Sequence, residues 1–232
     1  MTDNTTDNPR QNVTFPSNGG TAHGYLAVPE SGSGPGVIVI QEWWGLTDHI
    51  AGIADRLAAE GFVALAPDGL FPVGGYPGHD DDGRTLQAKL DQAKLRTDML
   101  NSATFLKAHA LSTGKLGVTG FCWGGSTVNF LAVTMGGDLQ AGVPFYGAAA
   151  ETAGVARIKA PLLLHYAESD PRINEMWPAF EAALRAAGVT HQMYIYPGTQ
   201  HGFHNNSTPR YQEGAAKLAW ERTVAFFRAN LT

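Results

Sequence analysis

A chain of 232 residues with 44% hydrophobic side chains is long enough to bury a sizeable core without cross-links. Its net charge of −5, with 16 Lys and Arg against 21 Asp and Glu, leaves no basic footprint for nucleic acid or an anionic membrane surface. One cysteine excludes an intrachain disulfide and a cysteine-based zinc site, and no apolar run suits a transmembrane helix. Residues 1–12 are polar and lack the apolar centre of a signal peptide, so they are expected to be a frayed tail. The remainder, 13–232, is expected to be a single cytoplasmic domain.

In chain order, Val13 to Phe15 and Ala22 to Val28 fit an antiparallel edge hairpin. Gly36 to Ile40 is a buried strand, and Ile50 to Glu60 a helix stopped at Gly61. Phe62 to Ala66 is the next strand. Asp68 to Gly83 is loose and rich in Gly, Pro and Asp, and Thr85 to Ala110 carries a long helical pattern with room for a break. Lys115 to Thr119 reads as a strand and Ser126 to Met135 as a helix. Ala141 to Tyr146, Pro161 to Tyr166 and Gln192 to Tyr196 are strands. Ile173 to Ala187 and Arg210 to Ala229 are helices. Apolar strands alternating with helices imply an α/β fold, its sheet mostly parallel with helices on both faces. Ligands of such sheets bind beyond the carboxyl ends of strands, so the residues after each strand are the ones to read.

The only cysteine, Cys122, sits in the run Gly120-Phe121-Cys122-Trp123-Gly124-Gly125, between a strand and a helix. That is the context of a nucleophile elbow, whose sharp turn leaves little room for neighbouring side chains. A buried cysteine on a tight connection is the plain reading of the same residues. Other strand ends supply partners. Glu168-Ser169-Asp170 follows one strand and His201-Gly202 another, giving the chain order nucleophile, acid, histidine. An imidazole stabilises a thiolate, and a carboxylate behind it fixes the tautomer. Cys122 is therefore the candidate nucleophile, His201 the base and later acid, and Asp170 the orienter. Glu168 is the rival; Asp170 is favoured because it lies further into the loop and precedes Pro171. His201 and His204 also make an H-x-x-H spacing open to a metal, but no third ligand is visible, so no metal and no cofactor are expected.

Oxyanion donors are expected from the backbone N–H of Trp123 and of Trp43 in the early loop Gln41-Glu42-Trp43-Trp44-Gly45. The Trp43 indole has a second candidate use as a pocket wall, with Trp44, Phe71 and Tyr76; packing is the plain reading of each. Glu42 has no role in a plain triad. It either pins the loop by a salt bridge or faces the thiol, where its charge would keep Cys122 protonated and guard it from oxidation.

Taken together, Gln41 to Gly45, Ala66-Pro67-Asp68, the Cys122 elbow, Tyr146-Gly147, the Asp170 loop and His201-Gly202-Phe203 resemble the dienelactone hydrolase family of the α/β-hydrolase superfamily. The resemblance runs from about Val13 to the final helix. It implies a Cys122–Asp170–His201 triad, hydrolysis of small lactones or esters through a thioester, and a glutamate, here Glu42, that contacts the thiol. It also implies two arginines for a substrate carboxylate. Arg84 stands at one, with Lys89 and Leu90 supporting the register. The other, four positions past the histidine, is Asn205 here, and Arg210 nearby is the candidate replacement. The partner is then a small molecule. Two further readings compete: a non-catalytic ligand-binding or thiol-sensing protein on a hydrolase scaffold, and a serine-type esterase using Ser126, which lies in the elbow helix rather than at its apex.

Overall fold

The computed structural model describes residues 10–232; of the expected tail, residues 1–9 lie outside the described residues. Arg10 to Asn12 make fixed contacts: Gln11 is buried with its amide donating to Asp68 Oδ2 at 2.8 Å, and Arg10 pairs with Asp48. Eight strands, mostly parallel, and seven α-helices make an α/β fold among the described residues. The chain divides into two compact units, one ending at Gly114 and one starting at Lys115.

In the first unit β1 (Val13–Ser17) and β2 (Gly20–Ala27) form the expected hairpin, turned at Asn18 and Gly19, both with positive φ. β2 runs antiparallel to β4 (Val63–Pro67), and β4 parallel to β3 (Gly34–Ile40). Every residue of β4 is buried. Successive strand side chains point to opposite faces, so a wholly buried strand has both faces covered. α1 (Asp48–Ala59) is capped by Thr47, whose hydroxyl accepts from Ile50 N, and it packs on β2, β3 and β4. The expected long helix is two: α2 (Asp80–Lys89) and α3 (Gln92–Ala108). Asp91 breaks the run, because its carboxylate accepts from Ala93 N and Lys94 N as a fresh N-cap. α2 reaches back into the stretch read as loose. Its opening Asp80, Asp81 and Asp82 are favourable at a helix N-terminus.

β5 (Ser112–Phe121) carries the chain into the second unit, where β5, β6 (Ala141–Phe145), β7 (Leu162–Ser169) and β8 (His191–Gln200) follow in parallel order. α4 (Trp123–Met135) packs on β6, and α7 (Glu213–Leu231) on β6 and β7. The expected helix from Ile173 is also two pieces, α5 (Pro171–Asn174) and α6 (Trp177–Ala186). Two registers matter for the site. Phe121 pairs with Phe145, so Cys122 and Tyr146 leave adjacent strands side by side. Ser169 pairs with Gln200, and Asp170 and His201 do the same.

Candidate active site

Cys122 sits between β5 and α4 with φ 57° and ψ −113°, a conformation that costs a non-glycine residue about 1–3 kcal/mol. Backbone hydrogen bonds help to hold it there. Its N–H donates to Phe145 O at 3.1 Å, and its carbonyl accepts from Ser126 N at 3.1 Å. The turn also needs its glycines. A Cβ on Gly125 would lie 2.4 Å from Phe145 O, and one on Gly147 would lie 2.2 Å from the Gly125 carbonyl carbon. The backbone between β6 and α4 is then tied by side chains. Ala148 N donates to Ser126 Oγ at 2.9 Å, and Asn129 Nδ2 donates to Ala148 O at 2.8 Å. Ser126 is thus engaged in the frame of the turn, one helical turn past Cys122. Cys122 itself is half-buried, and Trp123 is buried at the first position of α4, whose N–H groups point out of the helix end.

Asp170 caps α5 at the end of β7 and is 6% exposed; His201 follows β8 and is partly open. His201 Nδ1 and Asp170 Oδ2 are 2.5 Å apart. A carboxylate on Nδ1 directs the other ring nitrogen, Nε2, toward whatever the imidazole serves. The loop bearing Asp170 is braced by Asn174, whose Nδ2 donates to Ala167 O at 2.9 Å and Glu168 O at 3.1 Å. The rival carboxylate is used elsewhere: Glu168 Oε2 accepts from Gly198 N at 2.9 Å. After His201 the chain turns at Gly202, φ 88°.

His204 packs into the core. It is buried against Phe121 and Phe145, ring centroids 5.2 and 5.0 Å away. Among the described residues no group of three or more His, Cys, Asp or Glu is set to hold a metal ion. Asn205 is buried, and its Oδ1 accepts from Ser207 N at 2.9 Å and Ser207 Oγ at 2.6 Å, so this side chain closes a turn. Arg210 is exposed, ahead of α7 and its N-cap Gln212. Its guanidinium lies over Gly202, where a Cβ would come within 3.5 Å of Nε.

The remaining candidates belong to the first unit. Glu42 is buried at 3% exposure, and Trp43 and Trp44 are half-buried. Their loop follows Gln41, whose side chain accepts from Gly69 N at 3.0 Å and donates to Gln87 at 2.8 Å. Gly83 on α2 abuts Trp44: a Cβ there would lie 2.3 Å from Trp44 O. Arg84 is exposed on the same helix. Tyr76 donates its hydroxyl to Asp80 at 2.7 Å and lies beneath the Arg10 guanidinium; burial first, then Asp80, pushes its phenol up to about 12. Phe71 stacks on His23 at 3.7 Å. One neighbour of His201 drew no role from the sequence. Tyr146, quoted above only as part of a motif, has its ring 4.9 Å from the imidazole.

A family model described as the dienelactone hydrolase family matches residues 22–231. A protein of Aquifex pyrophilus named usf is 39% identical, covering 96% of this chain and 99% of its own. A protein of Aquifex aeolicus, provisionally named a carboxymethylenebutenolidase, is 34% identical over 95% of this chain and 99% of its own. A crystal structure from Klebsiella pneumoniae, provisionally described as a dienelactone hydrolase, superposes with a TM-score of 0.82. It is 30% identical and covers 93% of this chain and 96% of that one. No described helix is long and apolar enough to cross a membrane.

Proposed function

This chain belongs to the dienelactone hydrolase family of α/β-hydrolases, hydrolases of lactones and esters, and we propose that it works through a Cys122–His201–Asp170 triad. The observation that carries the reading is the 2.5 Å pair between His201 Nδ1 and Asp170 Oδ2, in the same unit as a cysteine held at positive φ on a strand-to-helix turn. A carboxylate so placed orients the imidazole and stabilises its cation, which is what a thiol nucleophile needs.

In this reading His201 takes the Cys122 proton and the thiolate attacks the ester or lactone carbonyl carbon. The oxyanion is met by the backbone N–H of Trp123 and of Trp43. When the C–O bond breaks, the departing alkoxide takes the proton from His201, leaving a thioester. Water gives a proton to His201 and attacks the thioester. The acid departs and the thiol is restored. Glu42 is the carboxylate that keeps the resting thiol protonated. Arg84 and Arg210 are the candidate cations for an acidic substrate, with Trp44 and Tyr76 as walls. Arg210 fits that role because its guanidinium lies close to Gly202, the residue after His201. Family membership favours a hydrolase over the non-catalytic or thiol-sensing alternative.

The test is turnover of p-nitrophenyl esters and small lactones of graded acyl length. Cys122→Ala is expected to lose about a thousandfold or more in kcat. Iodoacetamide should inactivate the wild type, with substrate protecting it. Full activity in Cys122→Ala would sink the proposal. In the same screen, Arg84→Ala and Arg210→Ala are expected to slow carboxylate-bearing lactones selectively; equal rates on neutral and acidic substrates would remove both arginines from the site.

A further inference from the structure

Tyr146 is a large side chain in a conformation that large side chains avoid: φ is 36° and the residue is fully buried. Such strain persists only where the surroundings over-determine it. Here they do. Its N–H donates to His165 O at 2.7 Å, and on its other side Gly147 is pressed against Gly125. The result is a ring wedged 4.9 Å from His201 and 5.6 Å from Phe203, one on the histidine and one two residues beyond it. The peptide just before it does a second job, since Phe145 O accepts the Cys122 N–H at 3.1 Å. Two consecutive residues at the end of β6 therefore touch the backbone of the cysteine and the ring of the histidine.

We propose that Tyr146 is a positioning residue, whose ring sets the place of the His201 imidazole relative to Cys122. The inference rests on the reading in which Cys122 is the nucleophile and His201 its base. The ring packs against the imidazole at a tilt of 55°, and the role proposed is that of the ring, which Phe would keep. The strain at φ 36° is the cost of carrying a ring where Asn or Gly would fit the backbone better.

The experiment is steady-state kinetics on p-nitrophenyl acetate with Tyr146→Phe, Tyr146→Asn and Tyr146→Met, alongside Cys122→Ala. Tyr146→Phe is expected to keep kcat within about twofold, while Tyr146→Asn lowers kcat by roughly ten- to a hundredfold with KM little changed, because misplacing a catalytic group by an ångström has that effect. Asn tolerates positive φ and Met is flexible enough to occupy the space, so a folding failure of one variant leaves the other to decide. A folded Asn or Met variant with wild-type kcat would overturn the inference. So would a loss confined to KM, or a loss in Tyr146→Phe as large as in Tyr146→Asn. If Cys122→Ala is inactive while the ringless variants are fully active, the positioning role alone falls; if Cys122→Ala is active, the nucleophile reading falls.

Discussion

Cys122 and Tyr146 are non-glycine residues at positive φ, and both stand at strand ends where Gly125 and Gly147 bring two backbones together. The glycine pair makes that geometry possible. A methyl at position 147 has no flexible neighbour to push aside: its nearest atoms are the Gly125 carbonyl carbon at 2.2 Å and the Ser126 amide nitrogen at 2.4 Å. Relief would require α4 to move off β6, breaking the Ala148–Ser126 and Asn129–Ala148 bonds and shifting Cys122. Gly147→Ala is therefore expected to cost about 3 kcal/mol in urea unfolding, the upper end of what overpacking costs. It should also lower ester turnover in whatever fraction stays folded. Wild-type stability in that variant would mean the approach of the two glycines is not tight.

Among the elements, the start of the loop after β3 is tied to its neighbours by the Gln41 side chain. Gln41 is fully buried, holds the Gly69 N–H that follows β4, and donates to Gln87 on α2. Gln41→Ala would leave the buried Gly69 N–H without this acceptor, at about 2–3 kcal/mol. Chemical denaturation checks this, and Gln41→Glu, which keeps an acceptor for Gly69, should lose less of that bond while adding a buried charge. The same elements show what the sequence made legible. Val37 to Ile40, Val63 to Ala66 and Leu162 to Leu164 are runs of apolar residues buried on both faces, and such runs announce themselves. So did the strand-end positions of Cys122, Asp170 and His201. Less visible was the start of α2, because Asp80 to Asp82 read as polar loop although a helix N-terminus favours them. β8 extends through Pro197 and Gly198 to Gln200, past the expected strand end at Tyr196; it lies at the end of the strand order, where proline is tolerated. Asn205 and Tyr146 were opaque for another reason. Tyr146 takes its positive φ among partners distant in sequence, His165 and Gly125, while Asn205 is held by Ser207 two residues on, in a local turn that no periodicity marks.

At the scale of the whole molecule, stability carries a pH dependence that starts from one buried histidine. His165 on β7 is fully buried, and burial first, then the Arg222 cation, lowers its pKa from 6.5 to about 3. The hydrogen bonds run in one direction. Arg222 donates to the Tyr196 oxygen at 3.1 Å, and Tyr196 O–H in turn faces His165 Nδ1 at 2.8 Å. Nε2 faces Thr223 Oγ1 at 3.1 Å, whose own hydroxyl donates to Ala219 O. Nδ1 is therefore an acceptor, and a proton there would have to displace the Tyr196 hydroxyl. Below pH 6.5 the unfolded chain takes up a proton at this position and the folded chain does not. The contribution is thus fully present above pH 6.5 and is lost as pH falls toward 3. The loss approaches about 1.4 kcal/mol per pH unit, or about 2 kcal/mol between pH 7 and 5. Asp68 works the other way. Burial raises its carboxyl against the Gln11 bond, so its protonation favours the folded state as pH falls. A comparison of wild type with His165→Gln separates the two, because Asp68 is common to both. Denaturant unfolding at pH 7 and pH 5 should show the wild type losing about 2 kcal/mol more than the variant over that interval. Parallel losses would show that His165 takes up its proton as readily folded as unfolded.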